Sequence, residues 1–163
     1  MSVSAGLRVR VVEVADRERV DTFLGDHNAA LVARLDQLVD SRRQPAFLAE
    51  DEGELAGVVT YIAGDTDCEI LTLHAVRPWQ GVGTALLREV EQIAAEHGCT
   101  RLWLITTNDN VDALRFYQRR GFRLARLHPG AVDASRLRLK PGMPEIGDYG
   151  IPIRDEIELE KPI

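Results

Sequence analysis

The sequence is short of several things, and each shortage removes a class of protein. It has two cysteines, Cys68 and Cys99, both on or beside apolar runs where a buried thiol is the simplest reading. Two are too few for a disulfide scaffold, which fits a reducing, cytoplasmic setting. No apolar run approaches twenty residues, and the opening MSVSAGL lacks a basic segment followed by an apolar one. Neither a membrane span nor a secretory signal is therefore expected. Positive charge is in deficit, 20 Lys and Arg against 26 Asp and Glu, for a net −6. That argues against general nucleic-acid binding and is compatible with a cationic substrate. His27, His74, His97 and His128 have no ligand spacing with one another or with cysteine, so no metal site is expected. What remains, 163 residues at 45% hydrophobic and 28% charged, suits one soluble domain over 1–163 with a core that needs no staples.

The stretch Cys68 to Leu87, CEILTLHAVRPWQGVGTALL, organises the chain. Ile70 to Leu73 reads as a buried strand, Pro78 to Gly83 as a turn, and Thr84 onward as a helix. Leu86, Val90, Ile93, Ala94 and His97 keep helical spacing along it. Strand, glycine turn and helix together aim unpaired backbone N–H groups at an anion, with the helix dipole adding partial positive charge. Two nucleotide motifs are missing. No lysine follows Gly83, which excludes a P-loop, and Leu86 stands where a dinucleotide fingerprint has its third glycine.

Elsewhere the pattern predicts a strand at Arg8–Val12 and a helix from Arg17 to about Leu24 with Asp16 as N-cap. A second helix is expected from Ala29 to Val39, on the stripe Leu31, Val32, Leu35, Leu38 and Val39. Strands at Ala46–Ala49 and Leu55–Ile62 flank the turn Asp51–Glu54. Gly98 suits the end of the organising helix. Leu102–Ile105 is apolar on both faces, as in a covered strand. A helix follows from Ala113 to Arg120, then strands at Phe122–Leu127 and Ile157–Glu160. His128 to Pro152 reads as one long loop rich in glycine and proline. The charges Arg154, Asp155, Glu156, Glu158 and Glu160 read as a solvated strand face.

The run Asn110 to Phe122, NVDALRFYQRRGF, about thirty residues after the Gly81/Gly83 turn, supplies a second motif. The pair resembles the GNAT superfamily of acetyl-CoA-dependent N-acetyltransferases over about Asp67 to Leu127. The resemblance implies an α/β fold of the α+β type, with a mixed, mostly antiparallel sheet and flanking helices. That sheet would splay between Cys68–Leu73 and Leu102–Ile105 and admit acetyl-CoA as a co-substrate. It implies backbone pairing at Leu71 and Leu73 with the pantetheine arm. Pyrophosphate would lie on the amides of Gln80, Gly81, Val82, Gly83 and Thr84, with a contact from Asn110 and Tyr117 as general acid. Gln80-x-x-Gly83-x-Ala85 matches the letters of the family's turn. Aligning Gly81 with Gly83 keeps its spacing but puts Pro78 in the Gln/Arg place, and the second register is preferred.

The reaction implied is direct attack of an amine, of a small molecule or a peptide, on the thioester. An alkylamine of pKa about 10.4 is neutral about once in 2,500 molecules at pH 7, a cost of about 4–5 kcal/mol, so a proton acceptor is needed. Ile105 stands where some relatives carry a glutamate base. Glu69 is the first choice of base, on strand parity with Leu71 and Leu73, with Asp67, His74 or a water chain as alternatives. The His128–Pro152 segment is expected to wall the acceptor site, with pairing into a homodimer as its competing use. A non-catalytic acyl-CoA-binding module is the other functional class left open.

Overall fold

In the computed structural model, which describes residues 3–163, alternating charged and branched residues make Leu7–Val11 the first strand, β1. Helix α1 (Arg17–Asp26) follows and buries Val20, Phe23 and Leu24. Asp16 stands at its start without capping it. The carboxylate turns back to the Arg10 guanidinium at 2.7 and 2.8 Å and accepts from Glu13 N–H at 2.9 Å, which holds its pKa well below the usual carboxylate range.

The helix expected over Ala29–Val39 is instead a hairpin of β2 (Leu31–Arg34) and β3 (Gln37–Asp40). Leu35 and Asp36 both take positive φ, 47° and 61°, the two-residue turn whose twist suits antiparallel strands. The apolar stripe fits a helix by spacing, but contacts from distant residues decide otherwise. Arg34 is drawn onto Glu69, and Leu35 N–H donates to Glu156 Oε2 at 3.0 Å.

Then come β4 (Ala46–Asp51), β5 (Glu54–Ala63), β6 (Asp67–Ala75), α2 (Val82–Glu96), β7 (Arg101–Thr107), α3 (Val111–Gln118), β8 (Arg123–His128), α4 (Ala131–Arg138) and β9 (Glu156–Pro162). Among the described residues seven strands form one sheet in the order β1-β4-β5-β6-β7-β9-β8. The β6–β7 pair is parallel and the other pairs are antiparallel. The fold is the mixed, mostly antiparallel sheet with flanking helices that the resemblance implies.

Two apolar layers hold the sheet. On one face Leu86, Val90 and Ala94 of α2 are fully buried against Val59, Ile70 and Leu102. His97 leaves that stripe, exposed at the helix end with Nδ1 2.8 Å from Ile93 O. On the other face Val20, Phe23 and Leu24 of α1 pack on Leu48 and Val58. Each such side chain contributes about 1.5–3 kcal/mol of burial. Strand β7 is only half covered: Leu102, Leu104 and Thr106 are buried while Trp103 and Ile105 are half-buried.

Two further expectations are corrected. The long loop His128–Pro152 contains α4, and the return from it is tied down by Arg136, which donates to the carbonyls of Met143, Pro144 and Ile153 at 2.8–3.1 Å. The C-terminal charges are not a solvated face. Glu156 is 1% exposed, and Arg101 binds Glu158 and Glu160 at 2.6 Å each as β9 slots between β7 and β8. Among the described residues no helix is long and apolar enough to cross a membrane.

Candidate active site

Strands β6 and β7 pair only at Asp67, Cys68 and Glu69, opposite Arg101, Leu102 and Trp103. From Ile70 on they part, and a cleft of about 870 Å³ opens between them. At the parting Ile70 faces Tyr61 and Thr72 faces Thr60, so Leu71 is the extra residue of a β-bulge. Leu71 and Leu73 both line the cleft.

The turn after β6 ends at Gly81, in the left-handed region at φ 85°, where glycine has no Cβ penalty. Helix α2 begins at Val82, with no side chain capping it. Its first intrahelical bond runs from Ala85 N–H to Gly81 O at 3.0 Å. The N–H groups of Val82, Gly83 and Thr84 therefore lack intrahelical partners at the positive end of the dipole. Gly81, Gly83 and Thr84 line the cleft; Val82 turns its side chain into the core and Gln80 is exposed on the turn. A Cβ on Gly83 would come within 3.2 Å of the Phe116 ring, so Gly83 also lets α3 close onto α2.

Arginines frame this end of the cleft. Arg120 donates to Thr84 Oγ1 at 2.9 and 2.6 Å and to Phe116 O at 2.8 Å, with its guanidinium 3.7 Å above the Phe116 ring. Burial, and then repulsion from Arg119, lowers its pKa. Arg88 and Arg119 line the same cleft. None of the three was singled out in the sequence. The Arg-Arg pair just before Gly121 was the available signal, but a charge pair at a helix end reads first as solvated. Trp79 holds positive φ, 65°, with the Arg115 guanidinium 4.8 Å from its ring.

Asn110 caps α3: its Oδ1 accepts from Ala113 N–H at 3.2 Å and its Nδ2 donates to Thr106 Oγ1 at 3.2 Å, at the cleft wall. About two turns further, Tyr117 lines the cleft at 7% exposure, its ring edge-on to Phe116 and Phe122 at 5.0 and 5.2 Å. Burial raises its pKa, which keeps the phenol protonated at neutral pH.

Glu69 is not brought to the cleft. It is 4% exposed and locked to Arg34 by two bonds, Nε–Oε1 at 2.8 Å and Nη2–Oε2 at 2.7 Å. Both carboxylate oxygens are thus committed to a buried guanidinium. Removing one partner of such a pair costs about 3–5 kcal/mol. Glu69→Gln should lower unfolding stability on that scale in urea melts. A loss of turnover without loss of stability would return Glu69 to catalysis.

His74, one of the alternatives the sequence offers as base, does line the cleft, on the face of β6 toward α1. Its ring lies 5.3 Å from that of His27, which stacks on Phe23 at 4.1 Å. Burial, and then the facing His27, pushes the His74 pKa down to about 4. Asp67 lies on the paired segment and interacts with Arg101 at 3.4 Å. Because the unfolded histidine binds its proton near pH 6.5 and the folded one only near 4, His74 makes stability fall as pH drops between those values. His74→Gln should flatten that part of the melting-temperature profile.

The frame is thus a splayed sheet whose cleft carries an uncapped helix start at one end, a β-bulge at its middle and a buried tyrosine on its wall. The sequence pattern of the acetyltransferase (GNAT) family matches residues 12–122, and the chain belongs to that family. YdhI of Bacillus subtilis is 49% identical over 118 residues, covering 72% of this chain and 73% of its own. The N-acetyltransferase Rv2669 of Mycobacterium tuberculosis is 32% identical over 110 residues, 66% of this chain and 69% of its own. Among solved structures, a GNAT family acetyltransferase from Elizabethkingia anophelis with acetyl-CoA bound superposes with a TM-score of 0.69. It is 19% identical, over 98% of this chain and all of that one.

Proposed function

We propose that the protein is an N-acetyltransferase that moves the acetyl group of acetyl-CoA to an amine. The observation that carries this reading is the uncapped start of α2, with the N–H groups of Val82, Gly83 and Thr84 opening where β6 and β7 separate. Those donors, with Arg88, Arg119 and Arg120 around them, suit a pyrophosphate. The free edge of β6 at Leu71 and Leu73 suits an amide-bearing arm that continues the sheet as an extra strand.

Leu71 sits at the bulge, where a backbone N–H turned out of the ladder would stabilise the tetrahedral oxyanion. Tyr117, kept protonated by burial, donates its phenolic proton to the departing thiolate and regains one from solvent when the product leaves. His74, neutral at physiological pH and too weak a base to keep a proton there, relays the amine's proton to water. The acceptor approaches from the α1–β2 side, where His27 and His74 meet.

Thiol release from acetyl-CoA across a panel of primary amines tests the reading, with His74→Gln alongside. Turnover with at least one amine, reduced about 10²-fold in His74→Gln, is expected. Stable acetyl-CoA binding without release from any amine would favour an acyl-CoA-binding module.

A further inference from the structure

The acceptor end of the cleft has a charge character opposite to that of the whole chain. Against a net −6, its charged and titratable groups are His27, His74 and Lys140, and the acid lining the cleft among the described residues is Asp112. Asp112 lies on the first turn of α3, at the other wall, and shares the single proton of the Tyr149 hydroxyl between its two oxygens, at 3.0 and 2.9 Å. The neighbouring carboxylates are committed elsewhere: Glu69 to Arg34, Glu156 to Leu35 N–H and Asp36 to Arg138.

Lys140 arrives from just beyond α4 and crosses to the α1–β2 connection. Its ammonium donates to Leu31 O at 2.9 Å and to Asn28 O at 3.4 Å, one residue from His27. Among the described residues no carboxylate lies within 4.0 Å of it. Two carbonyls satisfy two of its three N–H donors and none of its charge. A half-buried cation left unneutralised on the wall of a substrate cleft is one that a ligand anion can complete.

We propose that the acceptor carries a carboxylate beside its amine, and that Lys140 binds that carboxylate while His74 faces the amine. The inference rests on the transferase reading above and narrows its substrate class to amino acids or peptides with a nearby free carboxylate. The same charge has a second effect. A polycationic amine brings its positive groups against Lys140 with no acid on this wall to receive them, so the site selects against polyamines. The excess of acids in the chain, compatible in sequence with a cationic acceptor, lies outside the cleft, whose described lining carries Asp112 alone among the acids.

The test uses matched pairs: 4-aminobutanoate, β-alanine and leucine, each against its own amide, with spermidine as the polycation. Transfer from acetyl-CoA and binding to the CoA-loaded protein are both measured. One charge-assisted contact predicts a ratio of acid to amide of about 10- to 100-fold in kcat/KM or in affinity. Lys140→Met, which keeps the stem, should abolish that ratio, and Lys140→Arg should keep most of it. A ratio between two acceptors is insensitive to the fraction of variant that folds, so a purely structural role for Lys140 would leave it unchanged. A preference for the amides or for spermidine, or an acid preference that survives Lys140→Met, overturns the proposal. Selective binding of the acids without transfer would support Lys140 as the carboxylate site and count against the transferase reading alone.

Discussion

Tyr117→Phe should lower kcat by about 10²–10⁴-fold while leaving acetyl-CoA affinity within about twofold of wild type. The substitution removes one oxygen from a ring already fixed edge-on between Phe116 and Phe122, so packing changes little. On the proposed mechanism, what is lost is the proton for the thiolate. Burial holds the phenol in its acid form, so wild-type activity should not fall with rising pH until well above the usual phenol range. Steady-state kinetics with a saturating acceptor separate the two roles open to Tyr117. Wild-type kcat in the Phe variant would make it a core residue.

Gly83→Val should raise the acetyl-CoA dissociation constant by about 10²–10⁴-fold, the effect of losing two charge-assisted N–H contacts at about 1.5–3 kcal/mol each. The branched side chain stands over the amides of the first helical turn and also meets Phe116, because even a Cβ would lie 3.2 Å from that ring. Some stability is lost as well, through the α2–α3 contact, so affinity is read at a temperature where circular dichroism shows the variant folded. A folded variant with unchanged affinity in calorimetry would move the phosphate site away from α2.

Much of the cofactor half was legible because its signals are local. The strand, the glycine turn and the stripe Leu86, Val90 and Ala94 follow one another within thirty residues, and Asn110 announces α3 as a cap. The acceptor half was less so. The hairpin Leu31–Asp40 has Leu-Asp at its turn, where glycine or asparagine would have marked a positive φ, and its apolar residues happen to fit a helix. What holds it as strands is distant: Glu69 for Arg34 and Glu156 for Leu35. The same pairing took Glu69 out of the cleft, although strand parity put it near Leu71. Parity failed there because Leu71 is the extra residue of a bulge, which reverses the facing of β6 between Glu69 and Leu73. Lys140 reads in sequence as one charge in a loop, and only the packing of α4 against β2 brings it to the wall.

The most direct measurement is an amide-resolved NMR titration of the nitrogen-15-labelled protein with CoA. If the nucleotide lies on the start of α2 and its arm along β6, the amides of Val82, Gly83, Thr84 and Leu71 should show the largest shifts, saturating together with one dissociation constant. Saturable binding that leaves those four amides in place and moves another surface would contradict it.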